Sequence, residues 1–180
     1  MNAHVERLTQ LVAPPERAAP RADWAVLAEE LGIELPGDYR ELIDTYGGGR
    51  FDGYLWLLEP RCANRHYDLT RHIAERDEAF EMLWEDGEPK PEQLESSPSS
   101  RVIPWATTDN GEYLYWLVRP GSHPDEWTVM VNEARGDWWE HFDVGCAEIL
   151  GKLLAGETRS KILSSSFPAR MHEFAASRSF

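Results

Sequence analysis

His141, Asp143 and Cys146 follow one another closely. A thiol beside an imidazole is the pairing of a nucleophile with its base. The chain around Cys146 argues against that use. Ile149, Leu150, Leu153 and Leu154 follow at helical spacing, and a Cys inside such an apolar pattern is most often buried and inert. His66 and His72 are six apart rather than four, so they do not share a helix face as paired metal ligands. There is no H-E-x-x-H and no His/Cys cluster at zinc spacing, so neither a metal nor a cofactor is expected. Gly47-Gly48-Gly49-Arg50 lacks the Lys-Ser/Thr of a phosphate loop, and it precedes a strand-like run instead of opening a helix. It reads as a helix stop and a close turn. Paired carboxylates for general acid–base work cannot be told from solvated ones in a chain with 32 acids. No catalytic residue is assigned.

The distribution of the acids is more specific. The chain of 180 residues carries 18 Lys+Arg against 32 Asp+Glu, a formal charge of −14. Binding to nucleic acid depends on cations that neutralise phosphates, so DNA, RNA and anionic lipid are excluded as partners. Half of the excess lies in one stretch. Between Glu75 and Glu95 there are nine acids and two bases, Arg76 and Lys90. Glu81, Glu85, Asp86 and Glu88 are candidate contacts for a basic protein, which such a patch steers electrostatically. The plainer reading is a solvated acidic face. Trp138-Trp139 stands out among the eight Trp. Adjacent residues of a strand point to opposite faces, and Trp139 is the candidate aromatic anchor.

The elements that must position these residues follow from periodicity. Val5, Leu8 and Val12 mark a first helix, and residues 14–22 form a Pro/Ala/Arg-rich arm. Asp23 caps a helix carrying Trp24, Leu27, Ala28 and Leu31, with Gly32 as its stop. Pro36 opens the next helix, whose stripe is Tyr39, Leu42, Ile43 and Tyr46. Residues 51–58 read as one apolar strand. A long helix is expected over about 64–84, where Phe80 has Arg76 and Trp84 as i±4 neighbours. A mobile loop is expected over 85–100. Residues 102–106 and 113–118 flank Asp109-Asn110-Gly111, a hairpin signal. A third strand spans 127–132, and residues 138–142 make a fourth or an irregular edge. A helix covers 146–154, stopped by Gly156. Residues 168–180 read as a short helix and frayed tail. This order is α+β, a central antiparallel sheet flanked by helices. The expected division is an arm over 1–22, a domain over 23–167 and a tail over 168–180. No apolar run approaches the ~20 residues of a membrane span. The start has no apolar signal core, so a cytoplasmic protein with reduced thiols is expected.

Several motifs resemble the SMI1/KNR4 family of the SUKH superfamily. They are Trp24-x-x-Leu27, Leu35-Pro36-Gly37-Asp38-Tyr39, Tyr46-Gly47-Gly48-Gly49, Phe51-Asp52-Gly53 and Leu55-x-Leu57. Ile103-Pro104-Trp105, Asp109-Asn110-Gly111, Tyr115-Trp116 and Trp127-Thr128-Val129 extend the likeness, which covers about residues 20–156. The resemblance implies the same α+β sheet fold. It carries Trp24, Leu35, Pro36, Asp38, Tyr39, Tyr46, Gly47, Gly49, Asp52, Gly53, Pro104, Asn110, Gly111 and Trp116 over as fold determinants, with no shared catalytic residues. Many bacterial members look like immunity proteins that neutralise a polymorphic toxin, and fungal members act as regulatory scaffolds. The expectation is a non-catalytic, monomeric binding protein whose partner is a basic toxin domain. A scaffold or adaptor is the alternative, and a small hydrolase using His141 and Cys146 the minor one.

Overall fold

The computed structural model describes residues 2–16 and 21–179. The part of the Pro/Ala/Arg-rich arm at 17–20 lies outside the described residues. Seven strands form one antiparallel sheet in the order β6-β5-β4-β3-β2-β1-β7. They are β1 Gly49–Phe51, β2 Leu55–Leu57, β3 Arg101–Thr108, β4 Tyr113–Val118, β5 Thr128–Asn132, β6 Trp139–Phe142 and β7 Phe174–Ala176. β1 to β6 form a meander, and the chain returns at its end to add β7 beside β1. The helices are α1 Ala3–Leu11, α2 Trp24–Leu31, α3 Gly37–Tyr46, α4 Leu69–Glu85, α5 Glu92–Glu95 and α6 Cys146–Leu154.

Alternation along the strands sorts the sheet into two faces. Ile103, Leu114, Trp116, Val129 and Val131 point into the larger core, which α1, α3 and α6 fill with Val5, Leu8, Tyr39, Leu42, Tyr46, Ile149 and Leu150. Val102, Tyr115, Leu117 and Met130 point the other way, toward Phe80 of α4 and Leu94 of α5. The α+β fold expected from the element order is the fold observed.

The motif side chains join elements across this core. Asp38 stands in the first turn of α3 and accepts from the backbone N–H of Ala147 at 3.0 Å. It thereby caps α6, whose own cap residue Gly145 has no side chain to do so. The Tyr39 hydroxyl donates to the carbonyl of Leu58, and its ring meets Trp116 edge-on at 4.8 Å. The Tyr46 hydroxyl donates to the carbonyl of Val12 at 2.7 Å. Trp24 donates its indole N–H to Asp44, Leu35 is buried, and Pro36 is the cap residue of α3 rather than its first helical position. Gly47 ends that helix with φ +70°. Pro104 sits at an irregularity of β3, and Asn110-Gly111 turns into β4.

Four expectations need correction. The apolar run 51–58 is two three-residue strands joined by a turn at Asp52-Gly53, with φ +52° and +65°. Positive φ at both central residues is the geometry that Asp-Gly serves in a tight hairpin. The expected helix over 64–84 begins only at Leu69, behind Asp68, which accepts from Thr70 N–H; a separate 3-10 turn occupies Arg65–Tyr67. The loop over 85–100 contains α5, with Leu94 buried against the second face of the sheet. The tail carries a strand that was not expected: β7 pairs Phe174, Ala175 and Ala176 with Phe51, Arg50 and Gly49, and the only helical piece after it is a 3-10 turn at Ser177–Ser179 among the described residues. Asp52 secures the tail by accepting from Ala169 N–H, Glu173 N–H and His172 Nδ1 at 2.9–3.0 Å.

Gly49 is what lets β7 approach. A Cβ there would lie 2.4 Å from the Ala175 carbonyl oxygen and 2.5 Å from the Phe174 ring. Gly49→Ala is expected to lower stability by about 1–3 kcal/mol, the usual cost of overpacking. Urea denaturation measures it, and a midpoint equal to that of the parent chain would refute this account of the tail.

Candidate functional site

α4 crosses the second face of the sheet with aromatic and cationic contacts. Arg76 is 9% exposed. Its Nε donates to the Tyr115 hydroxyl at 3.1 Å and its Nη2 to the Ala134 carbonyl at 3.0 Å. Its guanidinium carbon lies 4.6 Å from the centre of the Phe80 ring and 5.0 Å from that of Tyr113. Phe80 stacks on Trp84, 4.8 Å between centres and 10° between planes, and touches Tyr115 and Trp139. Earlier in the helix His72 hydrogen-bonds the Tyr113 hydroxyl at 2.8 Å. Burial pushes the Tyr115 phenol well above its ordinary range, and Arg76 partly offsets the rise, so the phenol stays neutral.

The outer side of α4 is acidic. Glu75, Asp77, Glu78, Glu81, Glu85 and Asp86 are exposed, and Glu88 is half-buried just beyond the helix. Glu75 pairs with Arg71 at 2.6 Å, and Asp77 lies 3.9 Å from Arg101. Burial pushes the Asp77 carboxyl above the ordinary range and Arg101 pulls it back. Among the described residues, none of Glu78, Glu81, Glu85, Asp86, Glu88, Glu92 and Glu95 has an ion-pair partner. A cleft of about 280 Å³ runs between α4 and β3, lined by Asp77, Phe80, Glu81, Trp84, Arg101 and Val102. Met82 is 57% exposed on the same helix.

Acids elsewhere are used differently. A cleft of about 460 Å³ is lined by Asp38, Glu41, Asp125 and Glu148 near the starts of α1, α3 and α6. There Glu41 accepts from Asn2 N–H, Asp125 from Gly37 N–H and Asp38 from Ala147 N–H. Those carboxylates satisfy helix starts, whereas Glu78, Glu81 and Glu85 of α4 and Asp86 at its end pair with no cation among the described residues.

Glu81, Glu85, Asp86 and Glu88 thus lie together at the end of α4 and the turn after it. Trp139 sits on β6 at the flank of α4, with its ring partly buried on Phe80 and Tyr115. Its neighbour Trp138 is the exposed one, at 48%. Sequence reasoning missed the cation at the outer end of the ring stack. Spacing in the helix pointed to Arg76, but Lys90, whose Nζ is 4.6 Å from the Trp84 ring centre, arrives from beyond a turn.

The two side chains of the hydrolase alternative are engaged otherwise. Cys146 is fully buried, and burial, followed by the nearby Asp38 carboxylate, pushes its thiol far above the ordinary range. His141 Nε2 is hydrogen-bonded to the Thr128 hydroxyl at 2.8 Å. Among the described residues no group of three or more His, Cys, Asp or Glu could hold a metal ion. No helix of the described residues is long and apolar enough to cross a membrane.

Residues 21–143, more than half of the chain, match the SUKH_6 family model, described as SMI1-KNR4 cell-wall. The chain belongs to that family. No curated protein and no solved structure matches it.

Two outcomes follow. Cys146 is expected to resist a thiol-specific reagent in the folded protein at neutral pH and to react after unfolding in urea; rapid native labelling of Cys146 would contradict its burial. Arg76→Leu strands the buried Tyr115 hydroxyl, so a loss of about 1–3 kcal/mol is expected, read from a denaturation midpoint.

Proposed function

We propose that this protein is a non-catalytic immunity protein that neutralises a toxin domain by covering a basic functional surface with the acidic end of α4 and the turn after it. The observation that carries this reading is the set of carboxylates without cation partners among the described residues, Glu78, Glu81, Glu85, Asp86, Glu88, Glu92 and Glu95. Glu81, Glu85 and Asp86 are placed where they oppose the helix α4. Asp77/Glu81 and Glu81/Glu85 are like-charged pairs at i,i+4, each unfavourable by about 0.2–0.5 kcal/mol. The last turn of α4 holds no basic residue to complement its dipole. A surface selected for solubility alone has no reason to gather half of the net charge there.

The family supports the same class of function, since its members are commonly immunity proteins. A toxin that holds phosphates in a cationic cleft is the type of partner this surface suits. Recognition would begin with long-range attraction, and an aromatic such as Trp139 or its exposed neighbour Trp138 would anchor the contact. The protein acts in this reading from the cytoplasm, as one copy against one toxin domain.

Co-expression with the product of the adjacent gene tests the reading. That product should arrest growth alone and be tolerated in the presence of this protein. The triple change Glu85→Lys, Asp86→Lys, Glu88→Lys should slow association at least about tenfold at low salt and flatten its dependence on ionic strength. Protection left intact by the triple change would mean that another face, such as a scaffold would use, makes the contact.

A further inference from the structure

The stretch from Glu75 to Glu95 contains only two cations, Arg76 and Lys90. Both are spent on the same pair of rings. Arg76 lies over Phe80, Phe80 stacks on Trp84, and Lys90 lies over Trp84. Phe80 occupies one face of the Trp84 indole, so a cation 4.6 Å from the indole centre must stand over the other. The two ends of this stack differ. Arg76 is buried and tied by hydrogen bonds to Tyr115 and Ala134. Lys90 is exposed, stands on the turn between α4 and α5, and has no carboxylate partner among the described residues. Its contact with the ring is worth little to the fold, because exposed cation–π pairs are weak and lysine stems are flexible.

Resting on the acidic-surface reading above, we infer that the outer face of Trp84 is the docking position for a single arginine side chain of the protein partner, and that Lys90 is an internal occupant which the arginine displaces. Arginine fits this place better than lysine does. Its planar guanidinium stacks on an indole while its edge donates to carboxylates, and it is the more weakly hydrated cation. Carboxylates for that edge stand close by in sequence on both sides of Trp84, at Glu81, Glu85 and Glu88. The cleft beside the ring, between Asp77, Glu81 and Arg101, gives the partner's backbone a groove to follow. Before binding, Lys90 shields the indole from water and from unrelated apolar surfaces. The exchange replaces a loosely held ammonium with a stacked and hydrogen-bonded guanidinium, so the site discriminates by cation type as well as by charge.

The test uses the full chain and the blocked peptide acetyl-Gly-Arg-Gly-Arg-Gly-amide, with its citrulline counterpart as the uncharged control. Indole N–H resonances are followed by NMR, and that of Trp84 is identified by its absence in Trp84→Leu. The arginine peptide is expected to shift the Trp84 signal and the citrulline peptide to leave it in place. Lys90→Ala should tighten arginine-peptide binding about two- to fivefold, the equivalent of a weak exposed cation–π contact. Lys161→Ala makes the same change in net charge at an exposed residue elsewhere and should not tighten it. Equal affinities for the two variants, an unmoved Trp84 signal, or no binding of the peptide each overturn the inference. Lys90→Ala removes only an exposed side chain, so this arm stands even where Trp84→Leu does not fold. The two readings can fail separately. Toxin protection that is abolished by the triple charge reversal but indifferent to Lys90→Ala would end this inference and keep the acidic-surface reading. Peptide binding tightened by Lys90→Ala without any toxin protection would do the opposite.

Discussion

A buried guanidinium holds the acidic helix to the sheet. Without Arg76, α4 would present to the second face of the sheet little more than Phe80 and the partly buried Leu83 and Trp84. Its remaining surface repels both itself and the carboxylates of the following turn. Arg76 solves two problems with one side chain. It satisfies the Tyr115 hydroxyl and the Ala134 carbonyl, groups that would be costly to bury alone. It also places a positive charge beneath a field of negative ones, with aromatic rings in place of a carboxylate as its neighbours. A carboxylate partner would cancel that charge locally. Rings and neutral acceptors leave its field available to the exposed acids above it.

The two faces of the sheet therefore do different work. The face toward α1, α3 and α6 is closed by apolar packing and by hydrogen bonds whose carboxylates cap helices, as Asp38 does for α6. The face toward α4 and α5 has a smaller apolar cluster and spends its carboxylates on solvent. Changes to the outer acids should accordingly leave the larger core untouched. Changes to Asp38 or Tyr39 would be felt throughout the fold, because each joins segments distant in sequence.

Much of this was legible where the signal is local. Asp23 and Gly32 bound α2 as their types imply, α6 occupies Cys146–Leu154 as its spacing implies, and Asn110-Gly111 turns β3 into β4. The misreadings have a common cause. β1 and β2 are three residues each and alternate buried with half-buried positions, so their joint sequence looks like one continuous apolar strand. The Asp52-Gly53 pair inside it was the available signal. β7 has no periodic pattern to read. Phe174 and Ala176 are accommodated only because Gly49, far away in sequence, has no side chain, and because Asp52 gathers the tail. Lys90 on Trp84 was illegible for the same reason: the turn at Gly87, φ +89°, brings together residues with no helical relation.

The acidic segment can be weighed as a state waiting for a counter-charge. Glu81 and Glu85 stand one turn apart near the C-terminal end of α4, and Asp86 closes that end. Each placement disfavours the helix slightly, and natural sequences that break local rules tend to do so where function requires it. A cationic partner would relieve this repulsion as it docks. Part of the association free energy would then come from repulsion relieved within α4, in addition to the ion pairs and packing formed across the interface. Salt performs a weaker version of the same relief, since it screens exposed charges over a Debye length of about 10 Å at 0.1 M. The free protein and the complex should thus respond to salt in opposite directions: the helix is steadied by the ions that loosen its grip on the partner.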